Sequence, residues 1–238
     1  MQAKIFLIPI VLHEDENALQ AIPSYIIDAV KSCSVFYAEN ERTARRFLKK
    51  IWKEINIDAY TWHTIHKAET ESQQQFQADM LQNKTIGIMS EAGCPGIADP
   101  GQILIRIAQQ NNAKVIPLVG PNSILLALMA SGMNGQCFQF VGYLPVDAQE
   151  RKKKLTELEN ESLKKNCTQI FIETPYRNNQ LLNDILNTAK SETQLCIALD
   201  ITASTESIQT KKIKDWKQGK PDLHKRPAIF LLYAANNY

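Results

Sequence analysis

Between Ser90 and Gly101 the chain reads SEAGCPGIADPG, placing three of its nine glycines and two of its ten prolines in one short stretch. Glycine permits positive φ and close approach to the backbone, while proline fixes φ and removes an N–H. Alternating the two makes a rigid loop whose bare amide and carbonyl groups can hold a polar or charged ligand. The same residues also suit a structural turn leading into a capped helix, with Asp99 as N-cap and Pro100 at the first helical position before Gly101. A second stretch, LVGPNS (Leu118 to Ser123), repeats the pattern, with Asn122 or Ser123 capping an apolar helix. A third, ETPYRN (Glu173 to Asn178), puts a carboxylate, a phenol and a guanidinium after the strand-like QIFI. There, too, Glu173 and Arg177 equally make a plain ion pair at a helix start.

Several other chemistries lack their signatures. No G-x-G-x-x-G follows the first strand, no G-x-x-x-x-G-K-[ST] occurs, and no G-x-S-x-G elbow marks a serine hydrolase. Of the four histidines none belongs to an H-E-x-x-H motif. His63 and His66 have a metal-compatible helical spacing, but TWHTIH reads as strand or loop, so no metal site is expected. The five cysteines are odd in number, far apart and without a C-x-x-C pair. That pattern predicts reduced thiols in a cytoplasm and argues against zinc.

These loops need elements to hold them. KIFLIP, SVFYAE, KTIGIMS and AKVIPLV read as strands, while PSYIIDAVKS, ERTARRFLKKIWKEI, ESQQQFQADMLQ and GQILIRIAQQNN read as helices. Such alternation predicts an α/β domain with a mostly parallel sheet, whose ligands sit outside the carboxyl ends of the strands. Glycine and asparagine cluster at Gly132 to Gln136, which predicts a boundary between an N-terminal α/β lobe, 1–134, and a C-terminal α/β lobe, 135–238. In the second lobe strand-like segments outnumber helices, predicting a mixed sheet, and two lobes joined at one hinge predict a cleft between them.

With 238 residues, 44% hydrophobic and 22% charged, the chain can bury a real core. Its apolar runs, such as IFLIPIVL and SILLALMA, fall well short of the roughly 20 residues a bilayer helix needs. The N-terminal run soon meets HEDEN, so no signal peptide is expected. The net charge of +2 names no partner. Local excess says more: RTARRFLKKIWK and RKKKL are either solvated helix faces or surfaces for phosphate and nucleic acid.

Five segments, AENERTARRFL, SEAGCPGIADPG, PLVGPNSILLALMASG, FQFVGYLP and FIETPYRN, resemble in this order the tetrapyrrole methylase superfamily, and within it the ribosomal RNA small subunit methyltransferase I family. The resemblance covers nearly the whole chain. It implies a two-lobed S-adenosylmethionine-dependent methyltransferase, usually a homodimer, with the cofactor folded between the lobes and a cytidine ribose 2′-hydroxyl of 16S rRNA as acceptor. It also implies that Pro9, Ser90, Glu91, Ala92, Gly93, Cys94, Ile97, Ala98 and Pro121 line the cofactor, with Ser123 below its methionine part. Tyr143, Thr174, Ile201, Pro227 and Ala228 would face it from the second lobe.

Methyl transfer is an in-line displacement from an already activated donor, so the protein mainly aligns the nucleophile, and no metal is required. A ribose hydroxyl gains from a base, for which Glu39, Glu173 and Asp99 are candidates. Arg42, Arg45, Arg46, Arg177 and the run from Arg151 through Lys152 to Lys154 would hold RNA phosphates. There are departures from the resemblance. The branch follows its first strand with Thr-Pro-Ile-Gly-Asn, whereas this chain has IPIVLHEDEN, keeping only Pro9 and Ile10 of that pattern. ALDITAS stands where relatives carry Arg-Glu-Leu-Thr, and the sequence given stops at Tyr238, without a small C-terminal extension found in many relatives. A methyltransferase for a small molecule, or a ribosome-associated binding protein without catalysis, are the other functions these departures leave open.

Overall fold

A computed structural model describes residues 2–65 and 70–234. The chain divides into two compact units, Met1–Asn122 and Ser123–Tyr238. Each is an α/β unit built on a five-stranded sheet.

In the first unit the strands are β1 (Lys4–Ile8), β2 (Val35–Ala38), β3 (Thr61–Thr64), β4 (Thr85–Met89) and β5 (Lys114–Pro117). They lie in the order β3-β2-β4-β1-β5, and every pairing is parallel. Side chains alternate between the two faces of a strand. In β2 that sends Val35 and Tyr37 to one core with Ile5, Phe76 and Leu104, and Phe36 and Ala38 to another with Ile8, Val30 and Leu48. Both faces are therefore covered, as a parallel sheet requires. Helices α3 (Thr70–Leu81) and α4 (Gly101–Gln110) contribute to the first core, α1 (Ile26–Ser32) and α2 (Glu41–Ile51) to the second.

Helix α2 shows why this local sequence becomes a helix. Asn40 accepts a hydrogen bond from the Thr43 amide at 3.1 Å, Glu41 sits in the first turn, and Lys49 and Lys50 in the last. Those positions suit the ends of the helix dipole. Ala44, Phe47 and Leu48 turn inward, which leaves Arg42, Arg46, Lys49 and Lys50 exposed.

The second unit holds β6 (Phe138–Tyr143), β7 (Thr168–Ile172), β8 (Gln194–Leu199), β9 (Ser207–Lys212) and β10 (Ala228–Tyr233), ordered β6-β7-β10-β8-β9. The pair β6–β7 is parallel and the other three pairs are antiparallel, so the sheet is mixed as expected. Its core joins Phe171, Leu195, Ile197 and Phe230 to helices α6 (Ala148–Lys165), α7 (Asn178–Thr188) and α8 (Ile213–Trp216). Helix α5 (Ser123–Ser131) packs on β9 and β10. That packing moves the division to Asn122, ahead of the expected break at residue 134. The glycine-rich turn instead leads from α5 into β6, and Asn134 holds it by donating to the Asn166 carbonyl.

No helix among the described residues is long and apolar enough to cross a membrane. All five cysteines are free.

Candidate functional site: two loop-bearing sheet edges

Strand β1 pairs with β4 on one side and β5 on the other, with Ile8 beside Met89 and Leu7 beside Pro117. The segments that follow these three strands therefore leave the same sheet edge side by side. They are knitted together. Ile10 and Gly93 exchange backbone hydrogen bonds of 2.9 and 3.1 Å, and the Cys94 thiol donates weakly to the Gly120 and Pro121 carbonyls at 3.6 and 3.4 Å. Ser90 Oγ donates to the Ala92 and Gly93 carbonyls, and Tyr25 Oη accepts from the Val119 amide at 2.8 Å.

Within SEAGCPGIADPG the backbone takes positive φ at Gly93 (72°), Gly96 (84°) and Ala98 (60°). The last is uncommon for a residue with a Cβ, and such conformations cluster at ligand sites. A Cβ on Gly93 would meet Leu12 Cδ2 at 3.0 Å and the Pro121 carbonyl at 3.2 Å. Gly93 is thus needed for close packing of the three loops, not for keeping its own side open. Glu91, Ala92, Ile97 and Ala98 are exposed, while Pro9 and Pro121 are buried in the loop packing. Ile97 is 50% exposed, an apolar surface within an otherwise braced loop.

Two carboxylates brace this loop from inside. Glu39, just after β2, accepts from the Glu91 amide at 3.0 Å. Asp99 accepts from the Gly96 amide at 2.8 Å and the Gly101 amide at 2.7 Å, closing the turn and tying it to the first residue of α4. Burial raises the Asp99 pKa, the backbone hydrogen bonds act against that, and the Glu39 charge adds to it. Asp99 thus braces the turn ahead of α4, but the N-cap is Pro100 and the helix begins at Gly101, one residue later than the sequence predicts. The described residues hold no cluster of three metal-ligating side chains, and His66 lies outside them. His63 stacks on Tyr37 and lies 3.7 Å from Asp79.

The second unit brings five expected residues to one edge of its sheet. Tyr143 ends β6 opposite Ile172, Thr174 follows β7, Ile201 follows β8, and Pro227 and Ala228 enter β10. Asp200 donates its amide to the Pro227 carbonyl at 3.1 Å, and Ala228 pairs with Leu199. Tyr143 is 61% exposed. Beyond β8 the backbone takes positive φ at Asp200 (46°) and Thr202 (73°), the latter strained for a β-branched residue. Arg226 holds Asp200 by hydrogen bonds from its guanidinium at 2.7 and 2.8 Å. Ser123 opens α5.

The charged candidates separate into two groups. Glu173 Oε1 accepts from the Thr174 amide at 2.6 Å and from two Arg177 nitrogens at 2.7 and 3.1 Å, so these two residues form the ion pair at a helix start. Arg45 is bound by Glu41 and Asp58, and Arg46 meets Glu14 at 3.1 Å on an exposed face. Lys152 is exposed. Arg151 is not: at 2% exposure it binds Asp184 and the carbonyls of Pro145 and Val146, which removes it from any RNA surface. It falls on the inward stripe of α6 with Leu155, Leu158, Glu159 and Ser162. That spacing was readable in RKKKLTELENES.

Two features of the first unit went unread. The segment Ile10 to Glu14, α2 and residues Glu91 and Ala92 enclose a cleft of about 340 Å³. Inside the same unit Asp79 is fully buried and binds Tyr37, Lys84 and Gln75.

A sequence model of the tetrapyrrole (corrin/porphyrin) methylases matches residues 23–216. The ribosomal RNA small subunit methyltransferase I of Vibrio cholerae is 32% identical over 183 residues, 77% of this chain and 61% of that protein. Its namesake from Halalkalibacterium halodurans is 32% identical over 168 residues, 71% of this chain and 55% of that one. The chain thus spans less than two thirds of the length of these curated relatives. Among solved structures, the methyltransferase CobJ matches with a TM-score of 0.61 at 12% identity, covering 98% of this chain and 93% of that one. The uroporphyrin-III-C-methyltransferase of Thermus thermophilus matches over the same shares with a TM-score of 0.54 at 13% identity. At such identity the likeness is one of fold.

Proposed function

The chain belongs to the tetrapyrrole (corrin/porphyrin) methylase family, and on that premise we propose that it is an S-adenosylmethionine-dependent methyltransferase acting on a ribose 2′-hydroxyl of 16S rRNA. The observation that carries this reading is the braced loop Ser90 to Gly101 on the carboxyl edge of the parallel sheet, where ligands of α/β folds sit.

The residues fit the cofactor. Glu91, Ala92, Ile97 and Ala98 offer exposed backbone and an apolar side chain, and Ser90, Gly93 and Cys94 shape the loop beneath them. From Ser90 to Gly101 the charged residues are Glu91 and Asp99, with Glu39 bonded to the loop and no basic residue among them. That balance favours a cation such as a sulfonium. Tyr143, Thr174, Ile201, Pro227 and Ala228 would contribute from the second sheet edge and Ser123 from the head of α5, while Pro9 and Pro121 act as scaffold. When bound, S-adenosylmethionine supplies an activated methyl group that an oxygen nucleophile takes in one displacement. The protein's share is then to align the hydroxyl, exclude water and accept its proton. Of the two carboxylates proposed for that proton, Glu39 is better placed, because it is half-buried beside the loop, whereas the Glu173 side chain is 2% exposed and bound to Arg177.

The RNA reading draws on the names of the relatives and on the basic face of α2. Arg42, Arg46 and Lys152 are exposed and available to phosphates; Arg45 and Arg177 are held by carboxylates of their own units. We place the enzyme in the cytoplasm, as a homodimer in which a second copy covers Leu125 and Met129 of α5, 47% and 78% exposed. Titration calorimetry with S-adenosylmethionine tests the cofactor: a well-folded chain that takes up none would end the enzyme reading. Ribose-methylation mapping of 16S rRNA from a strain deleted for the gene tests the acceptor, and an unchanged map would move it to a small molecule.

A further inference from the structure

The cleft of the first unit has a composition that the cofactor reading does not use. Ile10, Leu12 and Phe47 are the apolar part of its lining, Arg46 and Lys50 the cationic part, and Glu14 and Glu91 the acidic part. His13 also lines it, and its Nδ1 is buried with no hydrogen-bond partner. Buried polar atoms are nearly always paired, so this orphan leaves the imidazole of a cleft-lining residue with a hydrogen bond still to make. Arg46 also lines a groove along the exposed face of α2 together with Arg42, Arg45 and Lys49. A basic track therefore runs over α2 and turns into the cleft at Arg46. The Arg46–Glu14 pair at the turn is exposed, and such pairs are weak enough to be exchanged for a phosphate.

We infer that this cleft receives a single nucleotide of an RNA strand. Its phosphate lies on Arg46 and Lys50, its ring on the apolar residues, and a polar edge of its base or ribose beside the His13 imidazole. The inference rests on the RNA-methyltransferase reading above and adds to it the place where the strand enters. The volume, about 340 Å³, is at the lower end of the roughly 300–1,000 Å³ of small-molecule sites. It suits one nucleoside and is too small for a four-ring macrocycle. Glu14 and Glu91 on the rim offset the two cations. That balance favours the single charge of a phosphodiester over a free nucleoside triphosphate. The cleft abuts the braced loop, since Glu91 and Ala92 of that loop line it, and so the nucleotide is delivered beside the proposed cofactor wall. His13 belongs to IPIVLHEDEN, the segment that follows β1.

Fluorescence anisotropy with a short fluorescein-labelled single-stranded RNA tests the site, alongside calorimetry with S-adenosylmethionine and thermal unfolding. Lys50→Glu, on an exposed helix face, should weaken RNA binding about tenfold or more and lower the salt slope of log K by about 0.7. His13→Ala should weaken RNA binding several-fold without changing the slope, because it meets no phosphate. Both variants should keep wild-type affinity for S-adenosylmethionine, and Lys217→Glu, an equal charge change on an exposed residue of the second unit, should bind RNA like wild type. If Lys50→Glu and Lys217→Glu weaken binding equally, or if neither cleft variant changes it, the strand does not enter here and the proposed function stands without this site. Wild-type protein that binds S-adenosylmethionine but no RNA would overturn the inference and the RNA reading together.

Discussion

Gly120→Ala probes the three-loop edge at its tightest point. A methyl group there would stand 2.2 Å from Pro9 Cβ and 2.4 Å from Pro9 Cγ, whereas ordinary contact begins at about 3.4 Å. Pro9 is a rigid ring and cannot rotate away, so the loops after β1 and β5 must part by about 1.2 Å, the difference between those figures. Ile10 moves with Pro9, and its 2.9 and 3.1 Å hydrogen bonds to Gly93 would stretch beyond bonding range. Overpacking costs about 1–3 kcal/mol, and two lost backbone hydrogen bonds add about 1 kcal/mol each. The expected loss is therefore about 3–5 kcal/mol, read as a urea midpoint lowered by roughly 1–5 M at the usual slopes of about 1–3 kcal/mol/M for small domains. Affinity for S-adenosylmethionine should fall with it, because Gly93 loses its brace. Gly135→Ala, where nothing lies within 4 Å of the new methyl, should change neither quantity. If Gly120→Ala unfolds within about 0.5 kcal/mol of wild type and binds the cofactor normally, the packing argument for this edge is wrong.

Replacing Arg151 with methionine removes one partner of a buried pair, and about 3 kcal/mol of stability should go with it, the low end of the usual range because Asp184 keeps 14% exposure. Lys152→Ala, one residue along, should leave urea unfolding unchanged while weakening RNA binding; equal stability losses would show that the run does not divide into inward and outward members. Burial favours protonation of Asp79, but hydrogen bonds from Lys84 and Tyr37 outweigh it and hold its pKa below the ordinary 3.8. A depressed carboxylate contributes stability that is present above its unfolded pKa and lost as pH falls through the folded value. The gap in unfolding free energy between wild type and Asp79→Asn, about 1–3 kcal/mol at pH 7, should therefore shrink toward pH 3, and a gap that stays constant would remove Asp79 as its source.

Much of this arrangement was legible because turn chemistry is local. Glycine and proline in SEAGCPGIADPG and LVGPNS mark loops after strands, and parallel pairing then puts those loops on one edge. The boundary was less legible. SILLALMA is apolar enough to cover either sheet, and only the packing of α5 on β9 and β10 assigns it. Polar clusters escaped for a related reason. Asp79 meets Tyr37 across 42 residues, and nothing local says that a carboxylate on α3 will be buried under β2. His13 is one more polar residue of HEDEN in the sequence; the burial of its unpartnered nitrogen is set by the folded chain alone. The pair Glu173–Arg177 shows the reverse, since a carboxylate and a guanidinium four residues apart are legible as an ion pair and are joined by hydrogen bonds of 2.7 and 3.1 Å.

The most direct test of the central claim is transfer of labelled methyl from S-adenosylmethionine to small ribosomal subunits prepared from a strain lacking the gene. The account predicts label in 16S rRNA, as a single 2′-O-methylated ribose, in the presence of this chain. Subunits that stay unlabelled by a chain shown to bind the cofactor would contradict it.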